Sequence, residues 1–300
     1  MSKKPTPAGD KKRGELWALP RISRLRWPLV KRMFSLSRDM IVAIQAAEDN
    51  SQPSACFKPT SEAIPDMVVR LPEVCICCGG FQFESTGVLW PELIAAWELT
   101  EDEARYIDLQ QGFHCTDCSS NLRTMALAHA ILRIFDGAAP LSSFVHTEAF
   151  RKLRVLEINE AFTLTKFLAE SPNHHVARYP DVDMTSLPFE AGRFDLVCHS
   201  DTLEHVSNPV QALSECRRVL CPKGALAYTV PIVVGRLTRS RVELALAPSY
   251  HGGPNEEASD LLVHTEYGAD AWRHMSDAGF SDCRIIPFAP PAAFALVGCP

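Results

Sequence analysis

Nowhere does the chain hold a run of eighteen or more uncharged apolar residues, which removes a membrane-spanning helix from consideration. Its first residues, MSKKPTPAGDKKRGELW, lack the apolar core of a secretory signal, so the expected compartment is the cytoplasm. It also lacks an internal repeat, which argues against solenoids and propellers. Glycine is sparse, 15 in 300 residues, and it is missing from one informative place. The stretch Arg154 to Phe167, RVLEINEAFTLTKF, reads as a buried strand, a short turn and a helix, with no glycine in the turn. Positive charge is short as well, outside the first forty residues. Those forty carry eleven Lys or Arg against Asp10, Glu15 and Asp39, which leaves the remainder near −14 within a net charge of −6. Such an acidic body is a poor match for a nucleic-acid backbone. Only the basic tail has the charge to contact a polyanion or an anionic lipid surface, and the first expectation for it is a solvated tail with a few anchoring apolar residues.

What is present is an ordinary globular composition, 46% hydrophobic and 22% charged, enough for one large domain and one smaller one. Three zones are expected: a basic tail over residues 1–40, a connector with a cysteine-bearing module over 41–145, and a domain of alternating strands and helices over 146–300.

Eleven cysteines are too many to pass over in a chain expected to be cytoplasmic, where disulfides are disfavoured. Cys75-Ile-Cys-Cys78-Gly79 and Cys115-Thr-Asp-Cys118 form two C-x-x-C pairs. Thiolates at that spacing reach one tetrahedral Zn²⁺, and two such turns complete a four-sulfur shell without an open position, so the expected zinc is structural. Gly79 would let backbone amides approach the sulfurs. Cys77 and His114 stand as alternative ligands, and reduced cysteines without metal or a redox dithiol are the competing readings. After the second pair, Ser120 or Asn121 is the expected cap of a helix whose row Leu122, Ala126, Ala130 and Ile134 packs the module onto the following domain.

In that domain strands are expected at Leu153 to Ile158, His175 to Tyr179, Phe194 to Cys198 and Ala225 to Val230, with a terminal pair at 284–287 and 293–297. Helices are expected from Thr163 to Glu170 with Thr163 as cap, after Asn208-Pro209 with Gly224 past the stop, and from Gly268 to Ala278. Alternating strands and helices predict an α/β fold, a Rossmann-like doubly wound and mostly parallel sheet, beside an N-terminal, partly helical zinc-binding module. Ligands of such sheets bind at the carboxyl ends of the strands.

The block Asp183-Met-Thr-Ser-Leu-Pro-Phe189, the strand Phe194-Asp-Leu-Val197, the following Leu203-Glu-His-Val206 and the helix end Arg218-Val-Leu-Cys-Pro-Lys-Gly224 resemble the class I S-adenosylmethionine-dependent methyltransferases, especially the type 11 group. The similarity plausibly spans residues 150–300. By position, the resemblance implies that Asp183 accepts from the adenine amino group and that Met184 flanks the ring. Glu157 would orient the loop and the amino-acid end of the cofactor, and His199 and Ser200 would line the place where cofactor and acceptor meet. Where the family has G-x-G-x-G, this chain has Asn159, Ala161 and Thr163; Asn tolerates a left-handed backbone and Ala is small, so the turn can form. Where the family holds the ribose with an acidic residue, Arg178 and Tyr179 stand, with Asp181 nearby to take that task.

The reading that follows is a methyltransferase acting on a small-molecule or glycan acceptor by in-line transfer, with S-adenosylmethionine as cofactor and structural Zn²⁺. His205, His199 and His251 are the candidate general bases, since an imidazole titrates near working pH. The segments 235–241 and 249–268 are expected to shape the acceptor pocket, with Arg236, Arg239, Arg241, His251, His264, Glu266 and Tyr267 as its residues and an anionic sugar as one acceptor. The alternatives are a non-catalytic binding or scaffold protein that keeps the fold and, ranked last, a nucleic-acid methyltransferase that docks through the tail.

Overall fold

The computed structural model describes residues 69–251 and 259–300, all within the compact unit Asp66–Pro300. The basic tail lies outside the described residues. Among the described residues, no helix is long and apolar enough to cross a membrane.

The described chain opens with a small cysteine-bearing hairpin. Strand β1 (Phe83–Ser85) is followed by helix α1 (Pro91–Ala96), helix α2 (Glu101–Gly112) and strand β2 (Phe113–Cys115), which pairs antiparallel with β1. Helix α2 starts on a full capping box: the Thr100 hydroxyl accepts from the Glu103 N–H, and the Glu103 carboxylate accepts from the Thr100 N–H. Helix α3 (Leu122–Ile134) begins at Asn121, whose side chain accepts from the Thr124 N–H. Of the two expected caps, Asn121 performs the task. Two single-turn helices follow, α4 (Leu141–Phe144) and α5 (Glu148–Arg151).

The sheet domain then runs β3 (Val155–Ile158), a tight turn Phe162–Leu164 leading into α6 (Thr165–Leu168), β4 (His174–Ala177), β5 (Phe194–Ser200), a turn at Leu203–His205, α7 (Pro209–Val219) and β6 (Leu220–Thr229). Short strands β7 (Ile232–Val233), β8 (Arg239–Ser240) and β9 (Thr265–Gly268) make a separate three-stranded sheet. Helix α8 (Arg273–Asp277) and the strands β10 (Asp282–Ala289) and β11 (Ala293–Cys299) close the chain. The main sheet has the order β10-β11-β6-β5-β3-β4. Strands β4, β3, β5 and β6 are parallel, and β11 runs against both β6 and β10. A mostly parallel α/β sheet is therefore what forms.

Period-two alternation sorts the sheet side chains to two cores. Val155, Leu196, Cys198, Ala227, Ala295 and Val297 meet Ala126, Ala130 and Ile131 of α3, in one continuous cluster that also contains Cys75, Cys115 and Cys118. Leu156, Ile158, Val197, Leu226 and Leu296 face Leu213 and Cys216 of α7 and Met275 of α8. Each such fully buried aliphatic contributes about 1.5–3 kcal/mol relative to exposure. The cysteine turns are thus built onto the same core as the sheet.

Several local expectations shift. The helix expected over Gly268 to Ala278 is only the five residues of α8, because Gly268 ends β9 where a Cβ would come within 2.2 Å of the Arg236 carbonyl oxygen. Gly224 lies inside β6 and not past a helix stop: a Cβ there would sit 3.0 Å from the Phe194 carbonyl oxygen, so the residue serves close strand approach. Thr163 caps nothing; its hydroxyl bonds to Ser120 at 2.6 Å, and the helix behind it is the single turn α6. Residues 178–193 join β4 to β5 through turns and bends, without a helix.

Candidate functional site

The four cysteine sulfurs converge. Cys75 and Cys118 lie 3.6 Å apart, as do Cys78 and Cys115, and the four sulfurs all fall within 4.8 Å of one another. A tetrahedral ion with bonds of about 2.3 Å sets its sulfurs roughly 3.8 Å apart, so this set fits Zn²⁺. Cys77 is buried outside the set, and the His114 Nδ1 is paired with the Gly112 carbonyl, so neither substitutes. The two turns are near copies. In the first, the Gly79 N–H donates to the Cys75 carbonyl with Gly79 at φ +86°; in the second, Ser119 at φ +61° does the same to Cys115. The amide that reaches a sulfur is that of Gly80, which donates to Cys78 at 3.4 Å, and not that of Gly79.

The second cysteine turn leads directly to the loop after β3. The Ser120 hydroxyl accepts from the Cys118 thiol and bonds to Thr163, while Lys166 donates to the Cys118 carbonyl at 2.7 Å. Inside the loop, Glu157 is fully buried, and its Oε1 accepts from the Ala161 N–H and the Thr165 hydroxyl, both at 2.7 Å. Its Oε2 pairs with His174 Nε2 at 2.8 Å. The carboxylate therefore organises the loop backbone and is fully engaged in doing so. Asn159 takes φ +53°, the left-handed conformation that glycine would otherwise supply. Its Oδ1 accepts from the Tyr179 N–H, and its Nδ2 donates to Thr202. Phe162, exposed and at φ +50°, completes the turn at a position the sequence did not flag.

Above the carboxyl ends of β3 and β5 lies a cleft of about 410 Å³ lined by Asn159, Tyr179, Asp183, Met184, Asp201 and His205. This is where the chain order reverses across the sheet, the usual binding crevice of open α/β sheets. Asp183 forms an Asx turn in which Oδ1 accepts from the Thr185 N–H and hydroxyl, leaving Oδ2 without a partner among the described residues. Of the expected cofactor residues, Asn159, Asp183 and Met184 line the cleft. Ala161 lies buried beneath it and Ser200 is tied to Thr229 at 2.8 Å, while Asp181 is exposed and outside the lining.

A second cavity, about 490 Å³, adjoins the first and shares Asp201, His205 and Leu261 with it. Its wall is apolar, with Leu93 and Trp97 of the α1 region and Ile107 of α2. That wall comes from the zone expected to hold only the cysteine module. Asp201 ends β5 at φ +49°, a strained position for a non-glycine residue, and is ion-paired with the buried Arg123 of α3. Arg123 also reaches Gln110 at 3.1 Å.

The three candidate histidines part company here. His199 is fully buried, stacked on Tyr228 with ring centroids 4.6 Å apart, and lines neither cavity. Burial holds its pKa down at about 3. His205 faces both cavities and His251 faces the second; burial lowers both imidazoles, His251 to about 3. Glu204 stands between them, with Oε1 3.9 Å from His205 Nε2 and 3.8 Å from His251 Nδ1. Burial, followed by the charge of Asp201, pushes Glu204 up to about 8.

The arginines expected to greet an anionic acceptor are engaged elsewhere. Arg236 pairs with Glu103 at 2.8 Å, while Arg239 and Arg241 pair with the buried Glu266. They bind the small sheet to the α1–α2 region and, among the described residues, leave no unpaired arginine of the 236–241 segment for the cavity. Tyr267 is buried in the core of the sheet domain, whereas His264 lines the cleft.

Residues 142–228 match the family model described as Methyltransferase domain. The match spans β3 through most of β6 of the sheet domain and bears out the resemblance read from the type 11 blocks. A curated relative, an uncharacterized 37.1 kDa protein in transposon TN4556 of Streptomyces fradiae, is 33% identical over 106 residues, 35% of this chain and 29% of its own length. The chain thus aligns with less than a third of that relative. Similar solved structures include PigF with SAH, 18% identical, covering 58% of this chain and 65% of that one at a TM-score of 0.32. A SAM-dependent methyltransferase from Aquifex aeolicus is 15% identical and covers 49% and 80% at a TM-score of 0.31. The CurJ carbon methyltransferase is 13% identical and covers 69% of each chain at 0.34.

In the sheet domain the most exacting position of the loop after β3 is Glu157. Glu157→Ala leaves the Ala161 N–H, the Thr165 hydroxyl and His174 without their shared partner and is expected to lower stability by about 3 kcal/mol or more in denaturant unfolding. Glu157→Gln, which keeps the doubly used Oε1 acceptor, should cost less than half as much. Equal losses in the two variants would show that the loop does not depend on this carboxylate.

Proposed function

We propose that the protein is an S-adenosylmethionine-dependent methyltransferase acting on a small-molecule acceptor, with the four-cysteine set holding structural Zn²⁺. The observation that carries this reading is the junction of two cavities at Asp201 and His205, at the carboxyl end of β5, inside the segment that matches a methyltransferase domain. When bound, the cofactor supplies an electrophilic sulfonium methyl for in-line displacement. Asp183, with a free carboxylate oxygen beside the buried Met184, suits an amino-bearing aromatic ring at one end of the cleft. The Asn159 turn and the N–H groups gathered by Glu157 shape the other end.

Alignment does most of the work in such a transfer, since positioning two reactants contributes on the order of 7–11 kcal/mol. The apolar wall of Leu93, Trp97 and Ile107 suits an acceptor with an apolar body better than a phosphorylated or carboxylated sugar, because Arg236, Arg239 and Arg241 are already paired. The Glu204–His205–His251 cluster stands at this junction. The cytoplasmic setting rests on the thiols: the ten described cysteines are free.

Calorimetric titration with S-adenosylmethionine is expected to show one equivalent bound, weakened about 10-fold or more by Asp183→Ala, which removes a hydrogen bond on the order of 1.5 kcal/mol. Absence of binding by folded, zinc-containing protein contradicts the enzyme reading and favours a scaffold that keeps the fold. Metal analysis should find one zinc per chain at the cysteine set, lost in Cys118→Ser; a metal-free wild type would refute the structural zinc.

A further inference from the structure

Glu204 is the most anomalous group in the molecule. Its side chain is 1% exposed, and neither carboxylate oxygen has a hydrogen-bond partner among the described residues. A buried carboxylate left without partners costs several kcal/mol, so some group is expected to meet it. What faces it is a pair of imidazoles: His205 Nε2 at 3.9 Å and His251 Nδ1 at 3.8 Å. Both distances are too long for hydrogen bonds, and the three donor atoms all lie within 4.8 Å of one another.

The cluster is held in place by its surroundings. His205 Nδ1 bonds to the Leu262 carbonyl at 3.1 Å, which puts a proton on Nδ1 and leaves the Nε2 lone pair toward Glu204. An imidazole anchored through its second nitrogen to a carbonyl is the usual outer support of a metal-bound histidine. Backbone bonds fix the rest: His264 N–H to the Glu204 carbonyl at 2.8 Å, His251 N–H to the Leu261 carbonyl at 3.0 Å, and Val263 N–H to the Ser249 carbonyl at 2.8 Å. The His205 and His251 rings meet edge to face at 5.0 Å, and Trp97 covers the outer side of His251 at 5.5 Å.

We propose that Glu204, His205 and His251 form a binding site for a divalent transition-metal ion at the junction of the two cavities, separate from the cysteine set. Two imidazoles and one carboxylate suit a first-row ion such as Zn²⁺, Fe²⁺, Mn²⁺ or Co²⁺. Bonds of about 2.1 Å place neighbouring donors roughly 3.0–3.6 Å apart, so a shift of a few tenths of an ångström brings Glu204 within that range of each imidazole. Three protein ligands leave positions open toward the apolar cavity, where a hydroxyl or enol oxygen of the acceptor binds. This role rests on the methyltransferase reading. The bound oxygen loses its proton to water and its lone pair forms the bond to the methyl carbon. The carbon–sulfur bond breaks as its electron pair stays on sulfur.

The test uses cobalt(II) chloride, titrated calorimetrically and by visible absorption into full-length protein whose cysteine set is already filled with zinc. One further equivalent is expected, with the spectrum of nitrogen and oxygen ligation and without thiolate charge-transfer bands. Glu204→Gln and His251→Gln should each weaken it at least about 100-fold, beyond the roughly 10- to 100-fold that losing an outer partner costs. His251 is only partly buried, so its variant remains informative if Glu204→Gln fails to fold. No second equivalent, or one that persists unchanged in His251→Gln as adventitious binding, overturns the site. S-adenosylmethionine is titrated into the same samples. Cofactor binding without a second metal refutes this inference and leaves the methyltransferase reading standing; a second metal without cofactor binding upholds the site and refutes its part in methyl transfer.

Discussion

Both halves of the site hang on the turn Cys115–Cys118. Drawn into the four-sulfur cluster, this turn fixes the Cys118 carbonyl and the Ser120 hydroxyl, and these hold Lys166 and Thr163 of the loop after β3. From the same turn, Asn121 launches α3, whose first residues include Arg123, the partner of Asp201 at the cavity junction. The sulfurs are buried in one core with the sheet, so strain applied at the cluster is transmitted through close-packed side chains. A four-sulfur site has no open coordination position, and its contribution here is placement.

Electrostatics divides the region sharply. On the outer side, arginines and acids neutralise one another: Glu266 is shared by Arg239 and Arg241, and Glu103 takes Arg236. At the junction, by contrast, the cationic and imidazole groups that face Asp201 and Glu204 among the described residues are Arg123, His205 and His251, and burial lowers both imidazoles. Burial favours the protonated form of Glu204, which leaves Asp201 and Arg123 to neutralise one another. The loop after β3 solves a related problem by different means. Glycine normally lets backbone approach a ligand, but here Asn159 adopts the left-handed conformation and Glu157 gathers the loop N–H and hydroxyl groups from below.

The parallel strands were legible because they are apolar runs at regular spacing, and the caps because Asn121 and Asn208 chemistry is local. The cysteine set was legible for the same reason, two C-x-x-C turns being a short-range signal. What escaped was long-range. Leu93 and Trp97 read as part of a metal module and instead wall a cavity against His251, more than 150 positions away in the chain. Thr163 had the residue type of a cap but found a closer partner in Ser120, and the arginines of 236–241 read as a free basic cluster because their acidic partners lie in other elements. His199 reads like His205 in sequence, and only the pleat, which turns it under the sheet onto Tyr228, separates them.

That the cysteine turn braces the glycine-free loop after β3 for the proposed cofactor is tested most directly by measuring S-adenosylmethionine affinity in the double variant Ser120→Ala/Lys166→Ala, which leaves all four cysteines in place. The account predicts retained zinc and a dissociation constant raised about 10-fold or more, the loss of two hydrogen bonds of roughly 1 kcal/mol each. An unchanged dissociation constant in folded, zinc-loaded double variant would contradict it.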